Sequence, residues 1–143
     1  MMQISENGLD LIRKFEGLRL ETYDCPGGKL TIGYGHTGSD VKPGLKISAE
    51  KATALLKEDV KRFEKSVTEM VTIPMTQGMF DALVSFSFNL GAGKLQSSTL
   101  LKKLNAADKQ GAAEEFLKWN KANGEPLAGL TARRNGEREL FFT

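Results

Sequence analysis

Residues 76–90, TQGMFDALVSFSFNL, constrain the fold of this chain more than any other stretch. Met79, Phe80, Leu83, Val84, Phe86 and Phe88 leave little polar face at helical spacing. A helix apolar nearly all round is stable in water only when other elements surround it. The run from Met79 to Leu90 is interrupted by Asp81 and falls short of the roughly 20 apolar residues that span a bilayer. It therefore reads as the buried centre of a helical lobe, and a chain of 143 residues can build such a lobe within one domain.

The rest of the chain supplies the surround. Gly91 and Gly93 end the apolar helix, Ser97 or Ser98 caps a short helix LLKKLN, and Asp108 caps AAEEFLKW. A final helix over roughly Thr131 to Phe142 carries Arg133, Arg134 and Arg138. Upstream, Ser48 caps a helix of about six turns, with Ala52, Leu55, Leu56, Val60, Phe63, Val67 and Met70 on one face. Its other face is mostly Lys and Glu and reads as solvated. Ser5 caps an N-terminal helix with Leu9, Ile12 and Phe15 at three-residue spacing, and Gly17 ends it. Between these helices, Leu20–Tyr23 and Lys29–Tyr34 are β-prone and flank Pro26-Gly27-Gly28, a hairpin pattern. Gly33 and Gly35 around Tyr34 mark a bulge or a close backbone approach, and Pro43-Gly44 a further turn.

The expected architecture is α+β, a single domain over residues 1–143. A small hairpin-bearing lobe (roughly 14–47) joins through a long helix (roughly 48–70) to a mainly helical lobe (roughly 74–143), with the N-terminal helix packed near the latter. A ligand is expected in a cleft between the lobes.

Charge and cysteine content narrow the function classes. Residues 1–100 carry 12 basic and 12 acidic side chains and residues 101–143 carry eight and six, so the net charge of +2 arises in the last third. That balance is far from the basic stripe of a nucleic-acid binder and suits at most a weakly anionic polymer. One cysteine, Cys25, excludes an intramolecular disulfide, and one cysteine with one histidine cannot build a typical zinc site, so neither metal nor other cofactor is expected. The N-terminal MMQISENGLDLIRKFEG carries charges at Glu6, Asp10, Arg13 and Lys14 and no signal-peptide run. The expected location is the cytoplasm, unless another agent releases the protein.

Three polar residues gather around the hairpin: Glu16, eight residues, Cys25, five residues, Thr31. Glu16 sits at the negative pole of the first helix, a setting that suits a proton donor. Glycosidic hydrolysis needs such a donor for the leaving oxygen and a second group that attacks carbon or activates water.

The segments KFEGLRLETY, TIGYGHTG, DALVSFSFNLGAGKLQSSTLLKKLN and GLTARRNGERELF, in this order, resemble the phage-type lysozymes or endolysins over the whole chain. The resemblance implies a lysozyme-like fold and a muramidase that hydrolyses the β-1,4 bond between N-acetylmuramic acid and N-acetylglucosamine in peptidoglycan. It implies a monomer that waits in the host cytoplasm until a holin-type membrane permeabiliser opens the way to the periplasm and cell wall. The family's triad is Glu, Asp, Thr. Carried over by position, Glu16 matches the general acid and Thr31 the threonine, while Cys25 stands where Asp is usual, as in a cysteine-bearing subclass with the CPxG turn. Asp24, next to it, is expected on the opposite face of the strand.

A free thiol titrates near pH 8.5, so it is mostly protonated at neutral pH, and it accepts hydrogen bonds weakly. Two routes stay open: Cys25 and Thr31 hold a water for inversion, or a Cys25 thiolate forms a glycosyl intermediate with retention. Further candidates are His36, Phe88, Ser98, Arg133 and Arg134 as substrate-binding residues, with Asn89 and Trp119 as possible cleft lining. His36 reads as structural through a hydrogen bond or ion pair; Arg133 and Arg134 pair with Glu16 or a peptidoglycan carboxylate, or lie on a solvated helix face. Competing classes are a peptidoglycan-binding module that has lost catalysis, and a thiol amidase using Cys25 and His36.

Overall fold

The computed structural model describes residues 2–24 and 28–143. In chain order the elements are α1 (Glu6–Glu16), β1 (Arg19–Asp24), β2 (Leu30–Gly33), α2 (Ala49–Met70), α3 (Gln77–Leu90), α4 (Ala92–Gln96), α5 (Thr99–Asn105), α6 (Lys109–Phe116), β3 (Lys121–Ala122), β4 (Glu125–Pro126) and α7 (Ala128–Phe141). The chain forms two compact units, one of Arg13–Lys61 and one of Met1–Ile12 with Arg62–Thr143. The division falls inside α1 and inside α2, so each of these helices contributes to both.

In the unit Arg13–Lys61, β1 and β2 pair antiparallel, with Tyr23 opposite Thr31 and Arg19 opposite Gly33. Three residues of β1, Leu20 to Thr22, thus fall between these pairs against the single Ile32 of β2, a bulge in the ladder. The bulged stretch finds other partners: Thr22 N donates to Leu45 O at 3.0 Å and Ile47 N to Leu20 O at 2.9 Å. The Pro43-Gly44 turn that brings residues 45–47 back closes with Leu45 N donating to Lys42 O at 3.2 Å. Ile32, Val41, Ala52, Leu56 and Val60 form this unit's buried core. Ser48 caps α2 as the sequence indicates, its hydroxyl accepting from Lys51 N at 3.1 Å.

The second unit is built around α3. Thr76 caps it, accepting from Met79 N, and every residue from Gly78 to Ser87 is buried. Asp81 and Ser85 are buried but matched by hydrogen bonds, to Ser5 and Gln77 and to Glu137 respectively, which explains how a helix carrying them still serves as a core. Phe86 meets Phe116 and Trp119 edge to face, each at 5.5 Å between centroids, and Phe116 meets Phe141 at 5.7 Å. Such contacts contribute about 0.5–1.5 kcal/mol each beyond the area they bury. Ser98 caps α5, accepting from Leu101 N, and Asp108 caps α6, accepting from Gly111 N.

Two features escape the sequence reading. The short helix α4 follows Gly91 directly. A two-strand hairpin, β3–β4, precedes α7, which begins at Ala128 rather than near Thr131. Its turn is Asn123-Gly124, with φ of 52° and 81°, the conformation of a two-residue hairpin loop and the residue pair that adopts it most readily.

Candidate active site

Glu16 is the last residue of α1, half-buried, and the chain leaves the helix through Gly17 at φ 75°. Gly17 N donates to Arg13 O at 3.1 Å, which closes the last helical turn. The segment TIGYGHT forms the opposing wall. Ile32 and His36 exchange two backbone hydrogen bonds of 2.9 and 2.8 Å, and between them Gly33 and Gly35 take φ of 68° and 85°. This is a tight loop rather than a continuing strand, so β2 stops at Gly33. Its purpose is visible at Gly35, where a Cβ would lie 3.2 Å from Glu16 Oε1. The loop backbone therefore comes against the Glu16 carboxyl with no side chain between.

Thr31 lies one residue before this loop, 2% exposed, on the strand whose other end leads back to the hairpin bend. Its hydroxyl donates to Lys29 O at 3.3 Å. Cys25 lies outside the described residues. Asp24 ends β1 opposite Leu30, and Tyr23, its neighbour, is the residue opposite Thr31. A pocket of about 370 Å³ is lined by Lys29, Leu30, Thr37, Gly38 and Val41, and Thr31 is not part of its lining.

His36 follows the loop and is held at both ring nitrogens. Nδ1 lies 2.8 Å from Asp59 Oδ2, on α2, and Nε2 lies 3.0 Å from Asp40 Oδ2. Burial pulls the imidazole toward its neutral form, but the hydrogen bonds to Asp59 and Asp40 outweigh it and raise the pKa above its usual value. Asp40 is correspondingly lowered, chiefly by its hydrogen bond to His36. His36 thus fastens the TIGYGHT segment to α2. Neither ring nitrogen is left to serve as a base for a thiol, which argues against a Cys25–His36 dyad. No local signal marks Asp59, which lies 23 residues away on a helix face otherwise read as solvated.

The remaining candidates lie in the other unit. Phe88 is half-buried and packs edge to face on Phe63 at 5.6 Å. Ser98, 3% exposed, is occupied as the α5 cap, also donating to Leu95 O at 2.6 Å. Trp119 is half-buried against Phe86. Arg133 and Arg134 are not on a solvated face: they are 3% and 0% exposed. Both converge on Glu137, with Arg133 Nε at 3.4 Å from Oε2 and Arg134 Nε at 3.0 Å from Oε1. Ser85 Oγ donates to Glu137 Oε2 at 2.6 Å, and Arg133 Nη2 donates to Ser85 O at 3.2 Å, so the group joins α7 to α3. Arg134 stacks over Phe86 and donates to Asn89 Oδ1. Its Nε meets Glu137 as an ion pair at an angle outside hydrogen-bond geometry. Burial pushes the Glu137 carboxyl up, and Arg134 and then Arg133 draw it back only in part. Burial likewise lowers Arg134.

Among the described residues no group of three or more His, Cys, Asp or Glu could hold a metal ion. No described helix is long and apolar enough to cross a membrane. The arrangement offers one half-buried carboxyl against a glycine loop and a buried hydroxyl on the adjoining strand, the elements of a proton donor with a positioned partner.

The chain is 54% identical over 144 residues to an endolysin of Bacillus phage B103, covering 99% of this chain and 55% of that relative, so it spans about half the relative's length. Among solved structures, a P22 lysozyme mutant superposes with a TM-score of 0.94 at 43% identity, with 100% of both chains covered. The muramidase domain of SpmX from Asticaccaulis excentricus superposes with a TM-score of 0.93 at 40% identity, covering 100% of this chain and 99% of that one. The fold is accordingly lysozyme-like. Residues 13–137 match the Phage lysozyme family, and with seven-eighths of its length inside that match the chain belongs to this family.

Proposed function

We propose that this protein is an endolysin-type muramidase that hydrolyses the β-1,4 bond between N-acetylmuramic acid and N-acetylglucosamine in peptidoglycan. Glu16 is the general acid, and Cys25 and Thr31 handle the nucleophile. The observation that carries this reading is the seating of the Glu16 carboxyl against the backbone of Gly35, in the loop that follows Thr31. The names of its relatives, endolysin, lysozyme and muramidase domain, support the same substrate.

In this mechanism Glu16 donates its proton to the leaving glycosidic oxygen as the bond breaks, and charge builds at the anomeric carbon. Cys25 and Thr31 hold a water on the opposite face, which attacks that carbon, yields the inverted α-anomer and releases its proton to solvent, from which Glu16 is reprotonated. The Thr31 hydroxyl is already fixed on β2, so it needs no reorganisation to orient a water.

The experiment is product analysis on purified peptidoglycan, by mass spectrometry and by NMR of the first-formed anomer, with and without iodoacetamide. The chain has one cysteine, so alkylation acts at Cys25. Disaccharide muropeptides with new reducing ends, lost on alkylation, are expected. Free amino groups would instead identify an amidase, binding without clearing a catalytically silent module, and a retained β-anomer a covalent Cys25 intermediate. Cys25→Ser is expected to abolish nearly all lysis, and Cys25→Asp to keep much of it.

For release, we propose that the protein acts as a monomer and waits in the host cytoplasm for a holin-type permeabiliser. Expression alone should leave cells intact, and co-expression with a permeabiliser should lyse them; lysis on expression alone would overturn this route.

A further inference from the structure

Outside the site, a dense set of long-range polar contacts closes on residues 3–5, where the chain enters α1. Gln77 Nε2 donates to Gln3 O at 2.8 Å, and Ile4 N donates to Glu64 Oε2 at 2.7 Å. Ser5 N donates to Asp81 Oδ1 at 3.0 Å, and the Ser5 hydroxyl donates to Asp81 Oδ2. Gln77 Nε2 also donates to Asp81 Oδ1, at 2.8 Å. Asp81 is 1% exposed and Glu64 6% exposed. A buried carboxylate is costly unless its oxygens are satisfied, and here the segment leading into a helix does much of the satisfying. The Asp81 carboxyl also lies at the N-terminal end of α1, whose positive pole favours an acceptor there.

Asp81 interrupts an otherwise apolar stretch of α3, and Glu64 takes the buried position after Ala52, Leu56 and Val60 in the four-residue stripe of α2. Both are polar residues at positions where packing alone would select hydrophobes. A third departure lies in α1 itself. Gly8 is in a helix interior, where glycine is unfavourable, yet a Cβ there would fall 2.5 Å from Ile4 Cγ1 and 2.9 Å from both Cβ and Cγ of Asp81. The backbone of α1 is therefore seated directly on the Asp81 side chain. Three exceptions to pattern converge on one contact.

What this contact holds is the base of a lever. α1 runs unbroken for 11 residues and ends at Glu16. At about 1.5 Å per residue, Glu16 lies about 15 Å beyond Glu6, so a tilt of about 4° at the base moves the far end by about 1 Å. A displacement of that size at a reacting group can cost about a hundredfold in rate. We propose that Asp81, with Glu64 and Gln77, is a positioning residue for the reaction. By clamping residues 3–5 and seating Gly8 it fixes the direction and register of α1, and so the place of the Glu16 carboxyl. The inference rests on Glu16 being the general acid.

The test measures kcat and KM on soluble peptidoglycan fragments for Asp81→Asn, Ser5→Ala and Gly8→Ala, at a temperature where circular dichroism reports each fully folded. The 13C resonance of the Glu16 carboxyl is recorded in each, with Glu16→Gln as reference and the exposed Glu69→Gln as control. Asp81→Asn and Gly8→Ala are expected to lower kcat at least tenfold with KM within about twofold, and to shift the Glu16 resonance. Ser5→Ala should do the same to a smaller degree. A purely structural clamp would lower the melting temperature but leave kcat and the Glu16 resonance of the folded enzyme unchanged, and that result overturns the inference. If Asp81→Asn does not fold, Gly8→Ala and Ser5→Ala decide it. Glu16→Gln with near-normal activity would sink the general-acid assignment whatever the clamp variants do. An inactive Glu16→Gln beside clamp variants of normal kcat would sink only the clamp.

Discussion

Replacing Asp59 by Asn tests how the loop that walls Glu16 is fastened. The substitution keeps the shape of the side chain and a hydrogen bond to His36 but removes the charge 2.8 Å from Nδ1. The His36 and Asp59 side chains are 12% and 19% exposed, so solvent screens this pair far less than a surface pair. A hydrogen bond to a charged partner is worth about 1.5–3 kcal/mol and a neutral one about 0.5–1.5, which leaves about 1–2 kcal/mol for the charge itself. At about 2.1 cal/mol/K per residue, a chain of 143 residues has an unfolding entropy near 0.3 kcal/mol/K, so the melting temperature should fall by about 3–7 °C. The pH dependence fixes the cause. Because the folded-state pKa of His36 is raised, the folded protein binds this proton more tightly than the unfolded chain. The stabilisation is fully present below the unfolded value near 6.5 and is lost as pH rises through the higher folded value. Asp40, whose pKa is lowered, contributes in both proteins: its part is present above its ordinary value of 3.8 and lost as pH falls through the depressed one. Melting curves of the wild type and Asp59→Asn from pH 4 to 9 should differ most between about pH 4 and 6.5 and converge toward pH 9. A gap as wide at pH 9 as at pH 5.5 would refute the ion-pair reasoning and leave only packing.

Gly35→Ala combines a left-handed backbone, φ 85°, with a Cβ 3.2 Å from Glu16 Oε1. We expect a loss of about 1–2 kcal/mol in stability, measured by denaturant titration, and at least a tenfold fall in kcat as the carboxyl is pushed aside. Glu137→Ala strands two guanidiniums that are nearly inaccessible to water, and a broken buried pair costs about 3–5 kcal/mol. With the same unfolding entropy, calorimetry should show a drop of about 10–17 °C. Gly124→Ala strains the β3–β4 turn at φ 81° and should cost about 1 kcal/mol with turnover unchanged, since the hairpin is remote in sequence from every proposed catalytic residue.

The helical framework was legible because its signals are local. Ser48, Thr76, Ser98 and Asp108 each start a helix, and three-to-four-residue periodicity carries α1 and α2. The pairing of β1 with β2 was legible from two β-prone runs flanking a turn pattern, and the spacing of Glu16, Cys25 and Thr31 about it pointed to the proposed chemistry. What stayed hidden are pairings between residues far apart in the chain. Nothing local marks Asp59 as the partner of His36, or Glu64 and Asp81 as acceptors for residues 4 and 5. The Asn123-Gly124 signal was present and local, but its flanking strands are exposed and two residues each, too short for any alternating pattern to form.

The arginines of α7 show why the second kind of miss is systematic. The buried positions of this helix are Arg133, Arg134, Glu137 and Phe141, an i, i+1, i+4, i+8 set that would read as an apolar stripe if its members were Leu. Their charges make the stripe invisible to hydropathy, and a charged helix face is normally a solvated one. The reversal is possible because the positive and negative members satisfy one another within a single turn, and because α3 supplies Ser85 and Asn89 at the positions that meet them. Sequence pattern therefore fails here for a physical reason. Hydropathy scores each residue against water, while the free energy of this interface depends on pairs, and a pair cannot be recognised until the fold has brought its members together. The same reasoning applies to the clamp on α1: Asp81 looks like a defect in an apolar helix until the backbone of Ser5 is placed against it.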